Sequence, residues 1–228
     1  MKVVLIILGL VVMALGLSTL NYRQRSKTAR ARADSLTFTD SVLKSRNTAL
    51  AAALDTQIAA ASRQKETELN QLRSTYDQLV NDMQAEIAQG QIQITRLADR
   101  LSVSMVDKIL FPSGEASITT AGYRILHRVG DVLNTTEGKV IRVEGHTDNV
   151  AISERLQNTF PTNWELSTAR ASNVVRFLQD SVGIAPTRLQ AVGLSEYHPV
   201  ANNATVSGRS QNRRIEIALL PMETGGEP

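Results

Sequence analysis

Apolar residues fall into three regimes along the chain, and each regime predicts a different kind of structure. Val3 to Leu20 is an 18-residue run without a charge, built mostly of Val, Leu and Ile. At about 1.5 Å per residue it reaches roughly 27 Å, enough to cross a bilayer core, so residues 1–22 are expected to be a transmembrane anchor. A cleaved signal peptide is the competing reading, because Gly16-Leu17-Ser18 offers small residues where cleavage would fall.

The second regime runs from about Ser35 to Arg100, with no Pro and one Gly, Gly90. Good helix formers dominate it. Leu69, Leu72, Tyr76, Leu79 and Met83 follow a 3-4-3-4 spacing, an a/d seam. After a step of four the seam resumes as Ile87, Gly90, Ile94, Leu97 and Leu101, a stutter that locally unwinds a supercoil. Residues 23–101 are therefore expected to be a helical stalk that pairs two copies into a homodimer. The alternative is one amphipathic helix folded against the domain that follows.

The third regime mixes both periods. Val103–Phe111 reads as a strand ending at the Pro112-Ser113-Gly114 turn, and Thr119–Leu133 as an amphipathic helix with Ile125, Leu126, Val129 and Leu133 on one side. Lys139–Glu144 is rich in β-branched residues and predicts a strand. Asn163–Val182 is a helix with Ala171, Val174, Val175, Leu178 and Val182 at helical spacing, stopped by Gly183 and Pro186. Arg188–Gly193 and Arg213–Leu220 complete the strands. The expected fold is α+β: a β-α-β-α-β-β mixed sheet over residues 102–221 with helices on one face, and a disordered tail at 222–228.

Charge changes the picture in one respect. Lys2, Arg23, Arg25, Lys27, Arg30 and Arg32 stand in residues 1–32 with no acid among them, leaving 19 of the 25 basic residues against all 22 acids. The basic character belongs to the N-terminal segment, and the mildly acidic remainder argues against nucleic acid as a partner. By the positive-inside rule Arg23–Arg32 favour the cytoplasm; seating them on anionic headgroups of the outer leaflet reconciles them with an exported C-terminal domain. The chain has no Cys, which excludes disulfides, thiolate metal sites and a thiol nucleophile.

Candidate chemistry concentrates in Val143-Glu144-Gly145-His146-Thr147-Asp148-Asn149 and Asn163-Trp164-Glu165-Leu166-Ser167-Thr168-Ala169-Arg170-Ala171. Asp148 stands at the end of a strand and Arg170 in the opening turns of the next helix. Opposite charges on adjacent rigid elements suit a ligand carrying both an ammonium and a carboxylate, with the planar guanidinium fork matching the carboxylate. Asn163, Ser167 and Arg170 share one helix face. The bland alternative is a structural salt bridge between Asp148 and Arg170.

These segments, together with Arg188-Leu189…Gly193 and Gly208-Arg209…Asn212-Arg213-Arg214, resemble the OmpA-like peptidoglycan-binding domain also found at the C-terminus of MotB flagellar stator proteins. Asn163-Trp164-Glu165-Leu166-Ser167 and the long 149–162 insert are more similar to the MotB branch than to the porin branch. The resemblance implies that Asp148 contacts the ammonium of diaminopimelate in the wall peptide and Arg170 its carboxylate. Thr147, Asn149 and Asn163 are expected to shape that site, and Arg209, Asn212 and Arg213 to buttress the fold or touch glycan. Removing Asp148 or Arg170 is expected to abolish wall binding with the fold intact. Where porin-type members often carry Asp after the first strand's Phe, this chain has Pro112 after Phe111.

Other chemistries fit poorly. His146 and Asp148 are two apart on an extended segment and cannot be base and orienter of a triad, and no Gly-x-Ser-x-Gly elbow exists. His127, His146 and His198 lack metal-ligand spacing, so neither enzyme activity, metal nor cofactor is expected. An ion-driven stator subunit would need an ionisable residue in its membrane helix, and Val3–Leu20 has none. A purely structural coiled-coil scaffold is the remaining alternative. The expected protein is a non-catalytic envelope anchor of a diderm bacterium: held in the inner membrane, with its C-terminal domain in the periplasm. A cleaved signal would instead leave it periplasmic or associated with the outer membrane.

Overall fold

The computed structural model describes residues 2–97 and 100–222, with side chains from residue 7 onward. The expected tail at 222–228 lies outside the described residues beyond Met222. The chain divides into two units after Gln64. From Lys2 onward the first unit is helical, part of a helix α1 that spans Lys2–Asp82. Its apolar side chains, among them Leu36, Leu43, Leu50, Leu54 and Ile58, are exposed. Among the described residues no helix is long and apolar enough to cross a membrane; Val3–Ile6 of the expected anchor lie outside the described side chains.

The second unit is a five-stranded mixed sheet with helices on one face. After α1 comes a short turn of helix, α2 (Gln84–Ala88), then a hairpin of β1 (Ile92–Leu97) and β2 (Arg100–Val106). A helical turn α3 (Asp107–Leu110) leads to α4 (Thr120–Asn134) and β3 (Lys139–His146). The 149–162 insert holds one further turn, α5 (Glu154–Gln157), before α6 (Asn163–Asp180). Strand β4 (Leu189–Gly193), helix α7 (Val206–Asn212) and β5 (Arg214–Pro221) close the fold. The sheet order is β1-β2-β5-β3-β4, antiparallel except for the β3–β4 pair.

Alternation in the strands decides the faces. Leu101, Val103 and Met105 of β2 lie opposite Leu219, Ile217 and Ile215 of β5, and Ile141 and Val143 of β3 continue the same apolar surface. Helix α4 covers it with Leu126, Val129 and Leu133, and α6 with Ala171, Val174 and Leu178. Each of these Leu, Ile, Val and Met side chains contributes roughly 1.5–3 kcal/mol by leaving water.

Two expectations are corrected. The helix does not run on to residue 101. Gly90 adopts a left-handed φ of +65°, and Ile92 and Ile94 alternate with Gln91 and Gln93 to pair with β2. That period of two was hidden because Ile87, Gly90, Ile94, Leu97 and Leu101 also satisfy the helical spacing. The seam itself is filled from within the chain: Leu72, Leu79 and Met83 are buried in this unit's core, with Thr75 bonded to Thr136 and Lys139 paired with Glu68. The folded-back amphipathic helix is the reading realised there, so those side chains are not open to a second copy. The strand expected over Val103–Phe111 also ends early, at Val106. Beyond its last pairing with Arg214, the Asp107 N–H turns to the Arg213 carbonyl and Phe111 N–H closes a helical turn on Asp107.

Candidate functional site

The site lies where β3 ends and α6 begins, and two glycines bring those elements together. A Cβ on Gly145 would overlap the Ser167 carbonyl oxygen and sit 2.9 Å from its carbon. A Cβ on Gly193, the parallel partner of Gly145 on β4, would lie 2.7 Å from the Thr168 nitrogen. Only hydrogen at both positions lets the first turns of α6 rest directly on the strand ends. A capping box, Thr162 with Glu165, starts the helix there.

Past β3, the Thr147 N–H donates to the Ser195 carbonyl, and Asp148 accepts the Val150 N–H through Oδ1 at 3.1 Å. The Asn163 amide then fastens the loop. It donates to the carbonyls of Asp148 (3.3 Å) and Val150 (3.1 Å) and to the Glu196 carboxylate (2.7 Å). Ser167 Oγ accepts the Ser195 N–H and donates to the Trp164 carbonyl. Thr147 is buried and its hydroxyl has no partner, while Asn149 is exposed. Asp148, Thr147 and Asn163 are thus brought together around one turn, as the sequence suggested.

Asp148 and Arg170 are both buried but are not partners of each other among the described ion pairs. Arg170 Nη1 meets Asp107 Oδ1 at 2.9 Å, its Nε donates to the Glu115 carbonyl at 2.8 Å, and its guanidinium lies 5.0 Å over the Phe111 ring. The second oxygen of Asp148 is paired with Arg213. The four groups form one alternating cluster, Asp107 feeling Arg170, Arg213 and Asp148 together. Burial pushes the Asp107 carboxyl up, an effect that Arg170 and Arg213 only partly offset, and burial likewise lowers Arg170. The pair is dry, so each charge depends on the other.

Asp107 was missed in the sequence, yet it left a signal. It falls on the same parity as Val103 and Met105, a carboxylate at a core-facing position, and it supplies an acid near the turn where Pro112 replaces the porin-type Asp. Arg213 was placed with the buttressing residues but belongs to the charge cluster. Asn212 and Arg209 do buttress. Asn212 is fully buried, accepting from Val200 and Ala201 N–H and donating to the Ala201 carbonyl, and Arg209 donates to the Asn203 carbonyl.

The opposite sheet face carries a second polar group. Glu144, His146 and Glu216 place ligand-type atoms within 4.8 Å of one another. Guanidiniums already occupy that space: Arg100 lies 3.7 Å from both carboxylates, and Arg214 contacts Glu216 at 3.7 Å and His146 Nε2 at 3.3 Å. A cation would have to displace them. Burial, and then Arg214, push His146 down from 6.5 to about 4. An imidazole with a lowered folded-state pKa stabilises fully above its unfolded value and loses that contribution as pH falls from 6.5 toward 4. Acidifying from pH 7 to 4.5 is therefore expected to cost about 2–3 kcal/mol through this group. Urea melts of wild type and His146→Gln check it; the variant is expected to show a flatter slope over that range, and equal slopes would contradict the assignment.

Buried opposite charges held at the strand–helix junction of an α+β sandwich suit a binding domain. Residues 110–213 match the OmpA family, so the chain carries an OmpA-like domain, of the MotB type. It is 32% identical to Motility protein B of Bacillus subtilis over 68% of this chain and 57% of that protein. It is 38% identical to the peptidoglycan-binding protein ArfA of Mycobacterium bovis over 49% of this chain and 32% of that one. Among solved structures, the cell wall anchor of the T6SS from Pseudomonas aeruginosa is 34% identical with a TM-score of 0.57, over 63% of this chain and 97% of that one. The chain thus spans little more than half the length of Motility protein B and a third of ArfA.

Proposed function

We propose that this chain binds peptidoglycan through the diaminopimelate of its stem peptide and tethers the cell envelope's membrane to the wall. The observation that carries the reading is the buried pair of opposite charges, Asp148 at the end of β3 and Arg170 on α6, presented at one junction. Diaminopimelate ends in an ammonium and a carboxylate on one carbon. Asp148 takes the ammonium and the Arg170 fork takes the carboxylate, with Thr147, Asn149 and Asn163 lining the turn. Arg213, with a side chain about one-third exposed, is the counterion that can swing away as the ammonium arrives. Relatives named as a peptidoglycan-binding protein and a cell wall anchor support the reading.

The test is co-sedimentation of the full chain with purified diaminopimelate-type sacculi. Pelleting that free diaminopimelate reverses is expected; a folded chain left in the supernatant would overturn the proposal.

Val3–Leu20 is proposed as the inner-membrane anchor, with the basic cluster Arg23–Arg32 at the headgroups and the OmpA-like domain in the periplasm. Fractionation is expected to leave the chain in the membrane pellet with residues 3–20 intact, whereas a chain beginning near residue 19 would mean a cleaved signal. A motor-associated role remains the second reading, favoured by the likeness to Motility protein B. Ion conduction is not part of it, since Val3–Leu20 offers no carboxylate to carry a proton.

A further inference from the structure

Trp164 and Tyr197 form an exposed aromatic pair beside the charge cluster. Trp164 is 46% exposed and Tyr197 64%, and their rings stack with centroids 5.5 Å apart and planes 30° from parallel. Neither belongs to the hydrophobic core. The helix start does not require them, because Thr162 and Glu165 supply the cap and Trp164 offers only its backbone to Ser167. A stacked, solvent-facing Trp–Tyr pair outside the core marks a contact surface.

Its position says what the contact is. Trp164 follows Asn163 and Tyr197 follows Glu196, and the Asn163 amide joins Glu196 to the carbonyl of Asp148. The pair is therefore fixed to the same turn that presents the ammonium-binding acid. It is too small for an amphipathic helix or a lipid surface, and its chain neighbours are polar: Asn163 and Glu165 flank Trp164, and Glu196 precedes Tyr197. A pyranose fits such a surface: one face of C–H groups lies on an aromatic ring while the hydroxyl rim meets polar neighbours. In the wall polymer the stem peptide hangs from an amino-sugar strand, so a domain holding the peptide has a sugar within reach.

We infer that Trp164 and Tyr197 are a platform for a pyranose ring of the glycan that bears the bound peptide, an inference that rests on the peptide-binding reading above. Peptide charge and sugar face then form one composite site.

Trp164 is the chain's one tryptophan, so its emission reports the platform directly. The full chain is titrated with a diaminopimelate-containing stem peptide, and with the same peptide carried on its amino-sugar disaccharide. The sugar-bearing ligand is expected to change the Trp164 emission and to bind about tenfold more tightly than the bare peptide. Tyr197→Ala, at a surface position, is expected to remove that advantage and leave bare-peptide affinity unchanged, and Trp164→Phe is expected to retain part of it. Equal wild-type affinities for the two ligands would overturn the platform alone, as would Tyr197→Ala weakening both ligands equally. Binding of neither ligand by a folded chain would overturn the peptide reading and the platform with it.

Discussion

Gly145→Ala is expected to lower the melting temperature by roughly 6–12 °C, through a loss of about 3 kcal/mol. The added methyl would meet the backbone of Ser167, and no rotamer can relieve a clash with backbone. Helix α6 must lift off β3, which loosens Ala171, Val174 and Leu178 from the core and displaces Arg170 from Asp107 and Glu115. Wall binding falls in the same variant, because the two charges no longer share a fixed separation. Gly138→Ala is the control. Gly138 has φ +66° but nothing near its absent Cβ, so its substitution costs only backbone strain, about 1 kcal/mol. Thermal melts of the two variants check the contrast, and Gly145→Ala melting within about 2 °C of wild type would contradict the close-packing argument.

Arg170→Ala is expected to lose both binding and about 3–5 kcal/mol of stability. On sequence alone the residue looked free to be removed without harm to the fold. In the structure it is the partner of Asp107, which is 7% exposed and would be left as an unpaired buried carboxylate. Arg170 also holds the Glu115 carbonyl, and Asn173 holds that of Ala116, so the loop before α4 is tied to α6 through these side chains. Adding Asp107→Asn to Arg170→Ala removes the stranded charge. The double variant is expected to recover about 1–3 kcal/mol over Arg170→Ala while wall binding stays lost. That split separates the folding role of the guanidinium from its ligand role. Recovery of binding together with stability would show that Arg170 serves the fold alone.

The elements whose periodicity is unambiguous were legible before the structure. Helices α4 and α6 and strands β3, β4 and β5 begin and end within a few residues of expectation, because capping residues, Gly183, Pro186 and β-branched alternation all point the same way there. Strand β1 was not legible: Ile92, Ile94 and Leu97 satisfy strand and helix periods at once, and only pairing with β2 decides between them. The fate of the Leu72–Leu79–Met83 seam was hidden for a related reason. A heptad seam specifies a greasy stripe and leaves open whether a second helix or the same chain's sheet covers it. That Asp148, Asn163 and Arg170 gather at one junction was legible because strand end and helix start lie close in sequence. Asp107 and Arg213 reach the cluster from 41 residues before and 65 residues after Asp148, distances no local pattern spans.

Asp148 offers the most direct test of the central claim. Its carboxylate is paired with a partly exposed Arg213 and its Oδ1 takes the Val150 N–H, so Asp148→Asn keeps an acceptor for the turn while it removes the charge proposed to meet the ammonium, together with the Arg213 ion pair. The measurement is co-sedimentation of full-length wild type and Asp148→Asn with diaminopimelate-type sacculi, each with and without free diaminopimelate. Wild type is expected to pellet and to be released by the free ligand, while Asp148→Asn, folded and melting near wild type, stays in the supernatant. A folded Asp148→Asn chain that pellets as wild type does, and is released equally by diaminopimelate, would contradict the account.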